Sequence, residues 1–164
     1  MPVMSAGKAA PLFELTGVDG QKYSLKDSLA RGPVLVAFFK VSCPTCQYTF
    51  PFLERLYQQL RAHGAQVWGV VQDEPRDAQR FAKEYGVTFP ILVDDYPYEL
   101  SQEYGLKYVP TVFLVEPGGN IGVSSEGFSK TDLLEIQKSL AQSFSTSPGP
   151  LFKPTEKIPE YKPG

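Results

Sequence analysis

An apolar run that leads into a cysteine pair limits most strongly how this chain can fold. Residues 34–39, all apolar and without polar alternation, are typical of a strand buried on both faces of a sheet. After the cysteines, Phe50, Leu53, Leu56, Tyr57 and Leu60 follow helical spacing. The sequence therefore predicts a buried strand that leads into a helix, with both cysteines at the junction.

The chain has two cysteines, Cys43 and Cys46, separated by Pro44 and Thr45. In the first turn of a helix, residues i and i+3 lie on one face, so both sulfurs can reach disulfide distance. The unpaired N–H groups and positive dipole end of that helix favour a thiolate at the first cysteine. We therefore expect Cys43 to be the nucleophile and the less exposed Cys46 to resolve a mixed disulfide.

Other roles for the two cysteines fit the sequence less well. A structural zinc ion needs four ligands, and only His63, which lies at a predicted helix end, is available besides the cysteines. A permanent disulfide that closes so short a loop would constrain the unfolded chain little. Inert buried thiols are disfavoured because Pro44 and Thr45 between them suggest an accessible turn. Reversible redox chemistry is the favoured interpretation.

Composition narrows the function classes. With 164 residues and 42% hydrophobic content, the chain can form one domain with a sizeable core. Its net charge of −2 argues against nucleic acid or an anionic membrane as a partner. Because the amino terminus lacks a basic and apolar leader, we expect a cytoplasmic protein, with an exported form whose signal was removed as the alternative. We also expect a monomer without a bound cofactor or metal, apart from a redox-active Cys43–Cys46 disulfide.

Strand and helix patterns alternate along the rest of the chain. Asp19 and Gly20 predict the turn of a β-hairpin within residues 11–25, and Ser24 and Ser129 are predicted helix caps. Further strands are predicted at residues 65–71, 89–93, 108–115 and 121–128, the last two antiparallel at a sheet edge. Further helices are predicted at residues 44–63, 73–85, 96–104 and 130–144, the last with an apolar stripe of Leu133, Leu134, Ile136, Leu140 and Ala141.

The carboxyl-terminal residues differ in composition from the rest. We divide the chain into a domain at residues 1–144 and a proline-rich extended tail at residues 145–164. The tail contains five prolines and few helix or strand signals, but four larger apolar side chains give it something to bury. The tail is therefore either disordered or lies extended along the domain, and we expect partial docking through Leu151, Phe152, Ile158 and Tyr161.

The chain resembles the thioredoxin-like superfamily at several separate places. Its cysteine pair follows a buried strand, Pro51 lies five positions after Cys46 as in the kinked helix of thioredoxin, and residues 105–118 resemble the cis-proline strand. From the residues alone, Pro110 is either cis or an ordinary trans proline at a strand start. The resemblance implies that Pro110 is cis and faces the cysteines. It also implies that Val109 offers its backbone to an extended substrate, alongside Pro44 and Thr45.

Within that superfamily, the chain is similar to the redoxins. Residues 7–15 and 19–25 resemble their amino-terminal hairpin, and residues 81–95 resemble their inserted segment. This group includes the TlpA-like thiol-disulfide oxidoreductases and the alkyl hydroperoxide reductase/thiol-specific antioxidant proteins. The resemblance implies an α/β, thioredoxin-like fold: a central mixed five-stranded sheet with helices on both faces, plus an amino-terminal β-hairpin.

The function that this resemblance implies is thiol-disulfide exchange with protein or peptide disulfides. An unidentified thiol donor would supply the electrons. Peroxiredoxins place proline and threonine or serine seven and three residues before their reactive cysteine, but Cys43 has Val36 and Lys40 there. Cys46 has Phe39 and Cys43 at the corresponding positions. A thiol peroxidase, with Cys43 oxidised to sulfenic acid, is therefore the second hypothesis. A redox-inert adaptor that holds peptides in the Pro110 groove is the third.

Two positions near the cysteines leave the proton chemistry open. Ala37 stands where thioredoxin has a buried aspartate that assists proton transfer, so no proton acceptor for Cys46 is assigned. Lys40 is close enough in sequence to lower a thiol pKa, although a lysine at a strand end is also commonly just solvated.

Overall fold

A mixed five-stranded sheet forms the centre of the computed structural model, which describes residues 2–164. Its strand order is β5-β4-β3-β6-β7, with β3, β4 and β5 parallel to one another and β6 antiparallel to both β3 and β7. The elements are β1 Glu14–Thr16, β2 Lys22–Ser24, α1 Leu25–Leu29, β3 Val34–Phe39, α2 Pro44–Leu60, β4 Gln66–Val71, α3 Pro75–Tyr85, β5 Ile91–Val93, α4 Glu99–Glu103, β6 Thr111–Val115, β7 Ile121–Glu126, β8 Phe128–Ser129, α5 Lys130–Ser143 and β9 Tyr161–Lys162.

Each face of the sheet has its own apolar core, as expected for a central strand that is buried throughout. Leu35, Ala37 and Phe39 of β3 point into a core shared with α2, α3 and α5. The alternate residues of β3, with Trp68 of β4, point into a second core covered by α1, α4 and the β1–β2 hairpin. Helices therefore lie on both faces, and the predicted sheet architecture and hairpin are confirmed.

Capping residues set the ends of several helices. The Ser24 hydroxyl accepts a hydrogen bond from the Asp27 backbone N–H, and Ser129 does the same for Asp132 at the start of α5. Gly86 ends α3 in the left-handed conformation that glycine adopts most readily. Both predicted serine caps are confirmed.

Some boundaries differ from the sequence prediction. The predicted helix at residues 44–63 ends as α2 at Leu60, and its last turn, Arg61–His63, is a 3₁₀ helix. The predicted helix at 96–104 begins only at Glu99, because Tyr98 has left-handed backbone angles. Leu134 does not belong to the buried stripe of α5, since 41% of its surface is exposed. None of the described helices is long and apolar enough to cross a membrane.

The tail packs along one face of the domain. Leu151 is buried in the core, Phe152 and Ile158 pack against it, and β9 pairs antiparallel with β8. The inclusion of Tyr161 among the buried residues was wrong, because 54% of this side chain is exposed where β9 runs along the surface. The division into residues 1–144 and 145–164 stays a prediction.

An ion pair holds the middle of the tail to α2. Arg55 donates two hydrogen bonds of 2.7 Å to the Glu156 carboxylate and a third, of 3.2 Å, to the Leu151 carbonyl. The hydrogen bonds from Arg55, joined by one from the Lys153 N–H, lower the pKa of Glu156 to about 2. Together with the burial of Leu151, this ion pair fixes residues 151–156 against α2, the helix that carries Cys46.

Replacing Leu151 by alanine is expected to destabilise the protein by about 2–4 kcal/mol, because it removes methyl groups from a filled core. The matched change Leu134→Ala, at the exposed leucine of α5, is expected to cost less than about 1 kcal/mol. Urea unfolding of the two variants measures the difference. Equal, small losses would mean that the tail does not contribute to the core.

Candidate active site

Cys43 occupies the cap position immediately before α2. Its sulfur accepts a hydrogen bond of 3.1 Å from the Cys46 backbone N–H, and Pro44 begins the helix. The Cys43 N–H donates in turn to the Lys40 carbonyl, over 3.2 Å. Pro44 suits the first helical position because the N–H that proline lacks would have no partner within the helix there. The N–H of Cys46, two residues later, is directed at the sulfur. A negative charge on Cys43 would be stabilised here.

Cys46 lies one turn further on and is fully buried among the residues of the α2 core. Burial raises the pKa of the Cys46 thiol above its ordinary value of 9.0, and hydrogen bonding to Cys43 acts in the same direction. A backbone hydrogen bond from Lys40 opposes the increase, whereas the charges of Cys43 and Asp73 add to it. Both cysteines are free thiols, so the site is in its reduced form.

The raised pKa of Cys46 predicts that the reduced protein loses stability as the pH rises above about 9. The unfolded chain releases this proton near the ordinary thiol pKa, whereas the folded chain retains it, so alkaline pH favours unfolding. Urea unfolding of the reduced protein and of Cys46→Ala, between about pH 7 and about pH 10, isolates the contribution. Parallel pH profiles for the two proteins would contradict the prediction.

The antiparallel pairing of β6 with β3 brings Val109 and Pro110 to the cysteines. Thr111, the first residue of β6, lies opposite Phe38 near the end of β3, from which the chain continues to Cys43. The Cys43 thiol donates to the Val109 carbonyl over 3.3 Å. The peptide bond between Val109 and Pro110 is cis, as the resemblance implied. Pro110 is buried, while Val109 is half-buried.

The other residues predicted for the site lie around Cys43 but differ in their contacts. Pro44 is exposed, and the hydroxyl of half-buried Thr45 donates a hydrogen bond of 2.7 Å to the Pro163 carbonyl. Lys40 is exposed at the end of β3 and lines a cavity of about 230 Å³ together with Lys107 and Val109. Its backbone contacts the two cysteines, and its role in tuning a thiol stays a prediction.

Sequence reasoning missed two contributors to this region. Asp73 follows β4, whose carboxyl end lies beside that of β3, and its carboxylate accepts a 3.0 Å hydrogen bond from the Val41 N–H. Adjacent ends of parallel strands are a signal that could have drawn attention to Asp73. The second contributor is the end of the tail, residues 161–164, for which the sequence offers no comparable signal.

Within residues 2–164, no cluster of three or more histidine, cysteine, aspartate or glutamate side chains could hold a metal ion. The chemistry present at the site is that of two neighbouring thiols, one at a helix end and one buried. The two thiols and the mixed sheet with helices on both faces together define the class of protein. It is a thioredoxin-like protein with a dithiol centre.

Comparison with known proteins identifies the group within this class. Residues 6–124 match the AhpC/TSA family, and the chain belongs to that family. Thiol-disulfide oxidoreductase ResA from Bacillus thuringiensis subsp. konkukian is 31% identical over 133 residues, which cover 80% of this chain and 76% of the relative. ResA from Halalkalibacterium halodurans is 32% identical over 117 residues, covering 71% and 65% of the two chains. The chain is thus an enzyme of the thiol-disulfide oxidoreductase family.

Solved structures show the same fold. The thioredoxin domain of a thiol-disulfide oxidoreductase from Bacteroides vulgatus superposes with a TM-score of 0.72 at 23% identity, covering 83% of this chain and 97% of that one. A thiol:disulfide interchange protein of the thioredoxin family from Chlorobium tepidum superposes with a TM-score of 0.70 at 20% identity, covering 88% and 99%. The thioredoxin-like fold class is confirmed.

Proposed function

We propose that this chain reduces disulfides of proteins or peptides through Cys43 and Cys46. The observation that carries the proposal is the position of half-buried Cys43 at the start of α2, where its sulfur accepts a hydrogen bond from the Cys46 N–H, with the Cys46 thiol buried one turn further on. This arrangement provides an accessible nucleophile and an internal group that can displace it. The ResA relatives are named thiol-disulfide oxidoreductases, a class of enzyme that includes disulfide reductases.

The proposed reaction has two exchange steps. The Cys43 thiolate attacks one sulfur of the substrate disulfide, forming a mixed disulfide and releasing the other substrate sulfur as a thiolate. Cys46 then loses its proton and attacks the Cys43 sulfur, which releases the second substrate thiolate and forms the Cys43–Cys46 disulfide. Each released thiolate takes up a proton. Over the two steps the substrate gains two electrons and the enzyme loses two. A thiol donor returns the enzyme to the dithiol form.

The proton on Cys46 makes the second step the one that needs assistance. Because burial raises the pKa of this thiol, its thiolate is scarce at neutral pH until a base accepts the proton. The substrate thiolate released in the first step is one such base. The half-buried Asp73 carboxylate is an acidic group whose charge acts on Cys46.

The protein and peptide nature of the substrate is supported by the surroundings of Cys43. The Val109 carbonyl lies next to the reacting sulfur, and extended peptides bind to backbone groups of this kind by adding a strand. The reaction passes electrons between sulfur atoms alone, so we propose that no bound cofactor takes part. Monomeric state and cytoplasmic location stay predictions.

The test is reduction of a model protein with one exposed disulfide by the pre-reduced enzyme. We expect one equivalent of enzyme to release two substrate thiols and to form the Cys43–Cys46 disulfide, detected by peptide mapping after alkylation. Rapid consumption of hydrogen peroxide without disulfide reduction would instead support a thiol peroxidase. Peptide binding that persists in Cys43→Ser, with no exchange in the unaltered chain, would support an adaptor.

A further inference from the structure

The last residues of the tail lie against the same groups that are predicted to bind substrate. The Thr45 hydroxyl donates to the Pro163 carbonyl over 2.7 Å. A Cβ atom built on Gly164 would collide with the Val109 carbonyl oxygen, so the two backbones are in direct contact there. Two of the four predicted substrate-binding residues, Thr45 and Val109, are therefore contacted by residues 163–164.

The preceding residues hold this end of the tail in an extended, strand-like course. Tyr161 and Lys162 pair with Phe128 and Ser129, and the Lys130 N–H donates to the Glu160 carbonyl over 3.0 Å. The Lys162 ammonium group lies 4.9 Å from the centre of the Tyr48 ring on α2. The segment therefore adds to β8 as a strand and then continues to Thr45 and Val109. Strand addition is also the way in which an extended peptide substrate would bind.

We propose that residues 161–164 determine specificity by occupying the strand position beside Val109. An extended protein substrate reaches this position only when the segment leaves, whereas a small disulfide reaches the half-buried Cys43 sulfur without displacing it. The inference rests on the proposed disulfide reduction, and it adds which substrates the resting enzyme favours.

The contacts of the segment are suited to reversible release. They include one hydrogen bond from Thr45, a two-residue strand pairing, one cation–π contact and the backbone contact of Gly164 with Val109, on a surface where Tyr161 is 54% exposed. Glu126 lines a cavity together with Tyr161, Pro163 and Gly164, and its Oε2 atom is buried without a hydrogen-bond partner among residues 2–164. Release would return this carboxylate oxygen to water, which favours the open form.

The stronger anchors of the tail lie outside the segment. Leu151 in the core and the Arg55–Glu156 ion pair fix residues 151–156, so residues 161–164 can leave while the tail stays attached. Removing these four residues is thus a local change that leaves the cysteines, Val109 and the core contacts of the tail in place.

The experiment compares the full chain, a form that ends at Glu160, and Gly164→Leu, whose side chain cannot fit against Val109. Gly149→Leu is the control, because a Cβ atom at Gly149 meets nothing within 4 Å. If the segment is docked in about nine molecules of ten, kcat/KM for a protein disulfide rises about tenfold in the first two variants. We expect kcat/KM for a small aromatic disulfide to stay within about twofold, and Gly149→Leu to behave as the full chain.

An unchanged ratio of protein to small-disulfide activity would overturn the inference, and so would a lower protein-disulfide rate in both variants. Alkylation of Cys43 gives a readout that does not depend on turnover. We expect a bulky maleimide to react faster after the segment is removed, while iodoacetamide reacts at the same rate. If no form reduces either disulfide, the proposed function fails, and the alkylation rates still decide whether the segment covers the site.

Discussion

Replacing Cys43 by serine is expected to lower kcat/KM for a protein disulfide by at least about 10³-fold. A hydroxyl at this position keeps the cap of α2 but does not ionise near neutral pH, so the attacking anion is lost. Turnover measured with a thiol donor in excess tests this expectation. The exposed neighbour Ser42 provides the matched control, since Ser42→Ala leaves both thiols in place.

The stability of Cys43→Ser separates a chemical effect from a structural one. Serine side chains are good helix caps, so the free energy of unfolding of the reduced variant is expected to stay within about 1 kcal/mol of that of the unaltered protein. Activity that persists in this variant would remove Cys43 from the mechanism. An equal loss in Ser42→Ala would indicate damage to the loop instead of loss of the nucleophile.

Replacing Cys46 by serine is expected to stop the reaction at the mixed disulfide. Cys43 still attacks, but no internal thiol displaces the substrate, so a covalent enzyme–substrate adduct accumulates and turnover falls by at least about 10²-fold. Non-reducing electrophoresis with mass spectrometry detects the adduct and identifies Cys43 as its site. The adduct should disappear when an external dithiol is added.

Two further outcomes test which cysteine is the nucleophile and which is the resolving thiol. The double variant Cys43→Ser/Cys46→Ser should form no adduct, because it has no thiol. If Cys43→Ser formed the adduct and Cys46→Ser did not, the roles of nucleophile and resolving thiol would be reversed. The burial of Cys46, with no exposed surface, makes that reversal the result that would contradict the structure most directly.

The elements that the sequence predicted well are those with strong local signals. The unbroken apolar run of β3 indicates a strand buried on both faces. The serines at positions 24 and 129 indicate helix starts because their hydroxyls accept hydrogen bonds from backbone N–H groups in the first turn. The cysteine pair falls at a strand-to-helix junction because those signals flank it. These elements and the position of the cysteine pair therefore follow from residues close together in the sequence, whereas the arrangement of the whole sheet was implied by the resemblance to the redoxins.

The features that the sequence did not predict depend on contacts between residues far apart in the chain. Thr45 and Pro163 are 118 positions apart, and nothing in either local sequence indicates that they meet. Leu134 has the spacing of a core residue but lies at the margin of the stripe, where no neighbouring element covers it. Asp73 acts near Cys46 only because β3 and β4 are parallel neighbours, a pairing that the periodicity alone does not specify.

The measurement that tests the central claim most directly is the reduction potential of the Cys43–Cys46 pair. The protein is equilibrated in thiol–disulfide buffers, quenched by alkylation and separated by mass. We predict a single reversible two-electron transition between about −270 mV and about −120 mV, with a value near the lower limit for a disulfide reductase. The absence of any reversible transition would contradict the account and leave the two cysteines without a redox role.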